Sequence, residues 1–354
     1  MNRQTLPMIE VRGSPYERGK QQGEKARPQI QKALAGYRET IPQALKMTWE
    51  EAAREARKFL PYGEEAFPDF VLELEGIAEG GGVSFEDVWS LNCYEGLVDT
   101  RQQVWGCTSL AVRDDQTADG HVLLAHNEDW SSVDRGNVYL VCAEPDGGPS
   151  FIGMTYGPLL VNIGFNAEGI GVTINSAHST DGRVGVPRIL YSRAILQART
   201  IGEAIAACVP KLRAGGYSYL VADSNGELYN VEASATTHDI MYGRDGWLIH
   251  TNHYLSPKMQ DLEEPDVHIG SIIRFHRAER LLRSRLGQVT KGCLQGVLQD
   301  HINWPYSICM HEDPARPPHQ RGLTLASLVM DLTEHTIQVA AGPPCQAEYV
   351  TYCL

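Results

Sequence analysis

The sequence predicts an α+β protein in which largely antiparallel sheets are layered with helices. Three observations carry this. Helix-start signals crowd the first hundred residues, short β-type runs separated by Gly, Asp and Asn take over from Cys107, and blocks of strands then alternate with blocks of helices without a strict βαβ rhythm. The chain has 354 residues, 42% hydrophobic and 21% charged, the profile of an ordinary globular protein long enough for one large core.

Ser14-Pro15-Tyr16-Glu17 opens the first helix: Ser caps, Pro suits a position whose N–H has no helical partner, and Glu closes a capping box. Thr48-Trp49-Glu50-Glu51 and Ser84-Phe85-Glu86-Asp87 repeat the signal, and Gly80-Gly81-Gly82 stops an apolar helix containing Phe70, Leu74 and Ile77. The β-type runs at 107–113, 121–126, 137–143, 150–156, 159–165 and 169–175 read as one antiparallel meander. Helices return near 186–198 and 201–212, the second capped by Thr200 with Glu203 three residues on. Runs 217–223 and 227–233 flank Asn225-Gly226, which tolerates the positive φ of a tight hairpin turn, and 238–254 reads as a further strand pair. The segment 271–286, stopped by Gly287, is an amphipathic helix with Ile272, Phe275, Leu281, Leu282 and Leu286 as its apolar side, and another helix follows Thr290. Residues 323–353 alternate as strands, with Leu328, Met330 and Leu332 on one run and Ile337 and Val339 on the next. With no linker or internal repeat, 1–354 reads as a single domain whose sharpest boundary is the texture change at Gly106-Cys107.

Lys plus Arg number 31 against 44 Asp plus Glu, a net charge of −13 that repels phosphate backbones and anionic lipid. No nucleic acid and no membrane partner is expected. Residues 1–10 lack the long apolar core of a signal peptide, and the expected location is cytoplasmic. The eight cysteines, at 93, 107, 142, 208, 293, 309, 345 and 353, show no Cys-x-x-Cys spacing, and most read as buried small hydrophobes. His250-x-x-His253 and Cys309-x-His311 invite a zinc reading, but an i, i+3 pair on a strand is split between its two faces, and no metal is expected.

Two Gly-Cys pairs occur, about what chance gives. Cys293 falls in the first turn of a predicted helix, whereas Cys107 begins the first β-run and is followed by Thr108-Ser109. A thiol at a strand start becomes a special group if the peptide bond before it is cut, because its own α-amine, with a pKa of about 7.7–8.0, then serves as base. Gly106 suits such a cut, allowing left-handed or strained geometry and leaving the scissile carbonyl unhindered.

The surroundings of Cys107 sharpen this reading. Gly13-Ser14-Pro15-Tyr16-Glu17 with Gly19 and Gly23, Gly106-Cys107-Thr108-Ser109, Asn127-Glu128-Asp129-Trp130, Gly164-Phe165-Asn166, Asn175, His250-Thr251-Asn252-His253, Tyr306-Ser307-Ile308-Cys309 and Arg321-Gly322-Leu323-Thr324 occur in that order. As an ordered set spanning most of the chain, they resemble the acyl-coenzyme A:6-aminopenicillanic acid acyltransferase family, N-terminal-nucleophile (Ntn) amidohydrolases that cut themselves before a cysteine.

The resemblance implies a four-layer αββα sandwich of two antiparallel sheets. It also implies a cut between Gly106 and Cys107, leaving a helical segment 1–106 and a β segment 107–354 associated as a heterodimer. By the same resemblance Cys107 is the nucleophile, Asp129 holds its freed amine, and Asn252 donates an amide N–H to the oxyanion. Arg321 lies near the thiol and pairs with Asp129, Asn175 faces the nucleophile, and Ser109 and Asn127 lie on the substrate side. The residue before Arg321 is Gln320 where the fungal pattern has Ser, and a short insertion separates Cys107 from Asp129. The expected activity is amide hydrolysis or N-acyl transfer on small-molecule amides or acyl thioesters, with no resident cofactor and coenzyme A thioester as a conceivable cosubstrate. The alternatives are a β-alanyl-amine or other N-acyl amide hydrolase without transferase activity, and a non-catalytic binding protein that retains the fold.

Overall fold

The computed structural model describes residues 5–97, 106–264 and 269–354. After β1 (Met8–Gly13), Ser14 caps α1 (Pro15–Lys25) by accepting from the Glu17 N–H, while the Glu17 carboxylate accepts from the Ser14 N–H at 2.9 Å, the predicted capping box. Helix α2 (Arg27–Leu45) follows, Thr48 and Glu51 cap α3 (Trp49–Arg57) in the same way, and α4 (Leu60–Ala66) leads to α5 (Pro68–Gly81). Gly82, at φ 65°, ends α5 in the left-handed conformation that glycine adopts without a Cβ penalty. Helices α6 (Phe85–Asn92) and α7 (Tyr94–Leu97) complete the N-terminal part.

Gly19 and Gly23 of α1 meet Gly76 and Gly80 of α5 backbone to backbone. A Cβ on Gly19 would lie 1.9 Å from the Glu73 carbonyl oxygen, and one on Gly76 would lie 2.2 Å from that of Tyr16. These glycines are present because the two helix axes leave no room for a methyl group.

The β part supplies β2 (Thr108–Val112), β3 (Leu123–Ser131), β4 (Val138–Pro145), β5 (Phe151–Tyr156), β6 (Ile163–Asn166) and β7 (Ile170–Ser176). Helices α8 (Arg188–Ile195) and α9 (Ile201–Cys208) precede β8 (Tyr217–Asp223), β9 (Leu228–Ala233), β10 (His238–Tyr242) and β11 (Trp247–His250). Then come α10 (Pro257–Gln260), α11 (Ile269–Arg283), α12 (Lys291–Leu298), β12 (Gly322–Asp331), β13 (Thr336–Ala341) and β14 (Tyr349–Cys353). They form an eight-stranded sheet, β1-β4-β5-β6-β7-β8-β9-β10, and a six-stranded sheet, β11-β2-β3-β12-β13-β14. All pairings are antiparallel except β1 with β4.

The sheets pack face to face through β2 and β3 against β7. Ala278, Leu282, Leu294 and Leu298 of α11 and α12 cover the outer side of the six-stranded sheet over Leu110, Val112, Leu123 and Ala125. The N-terminal helices and α8–α9 pack with the eight-stranded sheet, completing the α+β four-layer αββα arrangement. Among the described residues no helix is long and apolar enough to cross a membrane.

Four expectations change. The meander is divided, because the chain leaves the six-stranded sheet after β3 and builds β4–β7 into the other. The 238–254 pair is also divided: β10 joins β9 while β11 joins β2, so the segment bridges the two sheets. Of the run 159–165 only 163–165 is strand, as part of β6, and β1, unforeseen within a helical N-terminus, sits at a sheet edge.

Candidate active site

Cys107 enters β2, whose Thr108 and Ser109 lie opposite Asn127 and His126 of β3. On the other side of β3, Asp129 lies opposite Thr324 of β12, and the register shifts between Thr324 and Ala326. Such an irregularity re-aims side chains and is common beside active sites. All of these residues are buried.

The Cys107 thiol donates to Glu128 Oε2 at 3.5 Å and receives the Asp129 backbone N–H. Glu128 Oε2 also meets His126 Nε2 at 3.0 Å, while Glu128 Oε1 accepts from the Tyr156 hydroxyl at 3.2 Å. The far imidazole nitrogen, His126 Nδ1, meets Ser109 Oγ at 2.9 Å, closing a chain of hydrogen bonds from Ser109 to the thiol. Burial pushes the Glu128 carboxyl up, but the His126 contact, the Cys107 hydrogen bond and the charge of Arg188 together more than offset this, and the group stays below the usual glutamate range. Burial first, then the negative charges of Glu128 and Asp129, push the Cys107 thiol well above its usual value. In the continuous chain the sulfur is therefore a protonated thiol beside an ionised carboxylate.

Across from this chain stands Arg274 of α11. Its guanidinium donates to the Cys107 carbonyl at 2.6 Å, the Thr108 hydroxyl at 3.1 Å and Asn252 Oδ1 at 2.8 Å. A guanidinium only donates, so the last contact fixes which end of the Asn252 amide is oxygen. Its Nδ2 then gives both hydrogens to Ser176, one to the carbonyl and one to the hydroxyl, each at 3.0 Å. The expected oxyanion donor is thus engaged in this form. Gly106 is required by space: a Cβ there would stand 2.2 Å from Asn252 Oδ1.

Asp129 Oδ1 accepts from the Thr324 hydroxyl at 2.5 Å, while Oδ2 is buried with no partner among the described residues. Burial pushes this carboxyl up to about 8, against the lowering pull of Arg274 and Thr324. An unfolded aspartate releases its proton near 3.9. Asp129 therefore favours the folded chain below that pH and costs stability as pH rises toward 8, by about 1.4 kcal/mol per pH unit. Adding Asp129→Asn to an uncut Cys107→Ala chain should flatten the decline in urea-unfolding free energy between pH 5 and pH 8. An unchanged slope would mean that the folded carboxyl is ionised throughout that range.

Asn175 lies on the inner face of β7, the face on which a Cβ at Gly171 would touch Leu124 and Leu332. Both polar atoms of its amide, and Thr173 Oγ1 on the same face, are buried and have no partner among the described residues. An unbonded buried amide is costly.

Two expectations need correction. Arg321 donates to the Arg316 and Pro314 carbonyls at 2.9 and 3.0 Å, and Arg274 takes the part foreseen for it beside Cys107 and Asp129. Asn127, on the opposite face of β3 from His126 and Glu128, donates to the Leu298 and Ile308 carbonyls, both at 2.9 Å, and anchors a loop instead of facing a substrate. Arg274 went unnoticed because the predicted apolar side of its helix was set by Ile272 and Phe275. The buried positions are Ser271, Arg274, Ala278 and Leu282, and their 3-4-4 spacing on one face was the available signal. For His126 and Glu128 the signal was alternation with Asn127 and Asp129 along an extended run.

A cleft of about 690 Å³ lies beside this centre, with Phe59, Leu97, Arg183, Arg188 and Tyr217 on its walls. Cys107 does not line it. Ala177, which does, follows the Ser176 that holds Asn252, and the charge of Arg188 reaches Glu128.

The family model of acyl-coenzyme A:6-aminopenicillanic acid acyl-transferases matches residues 116–346. The chain is 27% identical over 346 residues to the 40 kDa form of acyl-coenzyme A:6-aminopenicillanic-acid-acyltransferase of Emericella nidulans, covering 95% of this chain and 92% of that one. It is 26% identical over 223 residues, 57% of each chain, to the β-alanyl-dopamine/carcinine hydrolase of Drosophila melanogaster. Among solved structures, penicillin V acylase from Agrobacterium tumefaciens aligns over 66% of this chain and 83% of that one, with a TM-score of 0.47 and 14% identity. A mutant conjugated bile acid hydrolase from Clostridium perfringens aligns over 70% and 97%, with a TM-score of 0.43 and 12% identity.

Proposed function

Because the chain belongs to the acyl-coenzyme A:6-aminopenicillanic acid acyl-transferase family, we propose that it is a self-processing cysteine amidohydrolase or N-acyltransferase acting on small-molecule amides or acyl thioesters. The observation that carries this is the seating of Cys107: a buried thiol on an ionised carboxylate, beside a glycine packed against Asn252, with an unpartnered carboxyl oxygen on Asp129.

Before a cut the nitrogen of Cys107 is an amide and cannot act as base. Glu128 takes that role and accepts the thiol proton as Sγ attacks the Gly106 carbonyl carbon. The C–N bond breaks, the proton passes to the Cys107 nitrogen, and a thioester links Gly106 to Sγ. Water then adds to the thioester, the C–S bond breaks, and the products are a Gly106 carboxylate, a free thiol and a free α-amine. That amine pairs with Asp129 Oδ2, and its positive charge draws the carboxyl back into its ionised form.

In turnover the same sulfur attacks a substrate carbonyl, the α-amine carries the proton to the leaving group, and water or an acceptor amine takes the acyl group. Asn252 turns one N–H from the Ser176 hydroxyl to the developing oxyanion, a contribution of about 3–4 kcal/mol for such a donor. Asn175 and the cleft wall receive the substrate, and coenzyme A enters only as a thioester cosubstrate. Segments 1–106 and 107–354 remain one domain.

Intact mass of the purified protein is expected to give two fragments divided between Gly106 and Cys107, the second beginning Cys-Thr-Ser-Leu. Product analysis on a panel of acyl amides and thioesters separates the two activities: product that requires an added amine marks transfer, and acid released regardless of amine marks hydrolysis. A folded, undivided chain that turns over none of these substrates would refute the reading.

A further inference from the structure

Away from Cys107, at one end of the six-stranded sheet, four side chains from three segments converge. They are His301, after α12; Cys309 and His311, before β12; and Cys345, between β13 and β14. Their ligating atoms all lie within 4.8 Å of one another. His301 Nε2 and His311 Nε2 are 2.9 Å apart, and His311 Nε2 is 3.6 Å from Cys309 Sγ and 3.3 Å from Cys345 Sγ.

These are close to the edges of a zinc tetrahedron. With Zn–N bonds of about 2.05 Å and Zn–S bonds of about 2.3 Å, the ligand atoms sit about 3.3 Å apart for two nitrogens, about 3.6 Å for nitrogen and sulfur, and about 3.8 Å for two sulfurs. The Cys309-x-His311 pair that seemed insufficient in the sequence is completed by two residues that only the fold brings near it.

We propose that His301, Cys309, His311 and Cys345 bind one zinc ion as a structural site. Binding replaces the two thiol protons, which leave to solvent as the two Zn–S bonds form, and two thiolates with two neutral imidazoles balance the dipositive charge. Four protein ligands leave no open position, which marks a clip and not a catalytic metal.

The clip has something to hold. The Met310 N–H, between two of the ligands, donates to Thr324 Oγ1 at 2.9 Å, and that hydroxyl donates to Asp129. The Ile308 carbonyl is held by Asn127, and the Gln299 amide reaches the Pro344 carbonyl at 3.1 Å. The metal therefore joins the loop bracing Asp129 to the β13–β14 connection. The proposal does not depend on self-processing or on the substrate.

The test uses the full chain, reduced, stripped with a chelator and then exposed to Zn(II) or Co(II) alone. Elemental analysis is expected to find one zinc ion retained per chain. Co(II) should give a thiolate-to-metal charge-transfer band and the intense visible bands of a tetrahedral site. Cys345→Ser and His301→Ala, both at exposed positions, should lose the metal and the charge-transfer band, while Cys353→Ser, another exposed cysteine, should keep both. Chelation should lower the thermal midpoint of the wild type and leave that of Cys345→Ser unchanged. Equal zinc retention by wild type and Cys345→Ser would overturn the proposal. So would peptide mapping that finds Cys309 and Cys345 joined as a disulfide in zinc-free protein.

Discussion

Cys107→Ala is expected to remain a single uncut chain without measurable turnover. Cys107→Ser should cut slowly and turn over on the order of 10³-fold or more below the wild type, because the nucleophile and its base act as a unit and losing either forfeits most of the effect. The physical reason lies in the proton balance at the sulfur. The thiol sits 3.5 Å from one carboxylate oxygen, which His126 keeps charged despite complete burial. A serine hydroxyl is far less acidic than a thiol, so the same carboxylate generates much less of the reactive anion. A shorter side chain also leaves the oxygen further from the carboxylate than the sulfur was. Intact mass over time reads the cut, and initial rates read turnover. A Cys107→Ala chain that still divides before residue 107 would move the nucleophile elsewhere.

Gly76→Ala should be among the most damaging single-methyl changes in the fold. Its Cβ would sit 2.2 Å from the Tyr16 carbonyl oxygen and 2.6 Å from the Lys20 nitrogen, both backbone atoms of α1, so relief requires the two helices to separate. Parting them opens the core that Leu74 and Ile77 share with the eight-stranded sheet. We expect a loss of about 3 kcal/mol or more, at or beyond the upper end of the usual cost of overfilling a core, because the opposing atoms are backbone and cannot yield. Gly296→Ala in α12 is the control, because nothing lies within 4 Å of the added methyl. It should gain about 0.5–1 kcal/mol from helix propensity alone. Urea unfolding monitored by circular dichroism measures both, and similar behaviour of the two variants would refute the packing argument.

The sequence was most informative where chemistry is local. Capping boxes at Ser14 and Thr48, the helix stop at Gly80-Gly81-Gly82 and the hairpin at Asn225-Gly226 all depend on a few neighbouring residues and are found where expected, although in the hairpin only Gly226, at φ 94°, has positive φ. Sheet membership was not legible, because β3 and β4 are adjacent in sequence yet belong to different sheets, and no local pattern encodes that crossing. The same holds for the site. Cys107, Asp129 and Asn252 were visible through ordered motifs, and the structure brings them together around Arg274. Arg274 itself was hidden because a charged residue on an amphipathic helix reads as solvent-facing until its partners, the Cys107 carbonyl and Asn252 Oδ1, are known. Arg321 and Asn127 were misplaced for the converse reason. Their neighbours fit a site motif, while their side chains satisfy carbonyls of the loops beside them.

Strand β1 has a bearing on assembly. Residues Met8–Gly13 run parallel to β4, with Ile9 opposite Val141 and Val11 opposite Ala143, so a sheet built from the β segment is finished by the extreme N-terminal part. A parallel edge of this kind is made between elements far apart along the chain, and the peptide link through Gly106-Cys107 keeps them at high effective concentration while they find each other. With the proposed cut made, the edge strand and the helices behind it would be held by non-covalent contacts alone: the β1–β4 ladder, packing, and pairs such as Tyr37 with Asp134 and Arg188 with Glu95. Denaturing the divided protein would turn a unimolecular folding problem into a bimolecular one. Its recovery would then depend on dilution, whereas the uncut chain would refold independently of concentration.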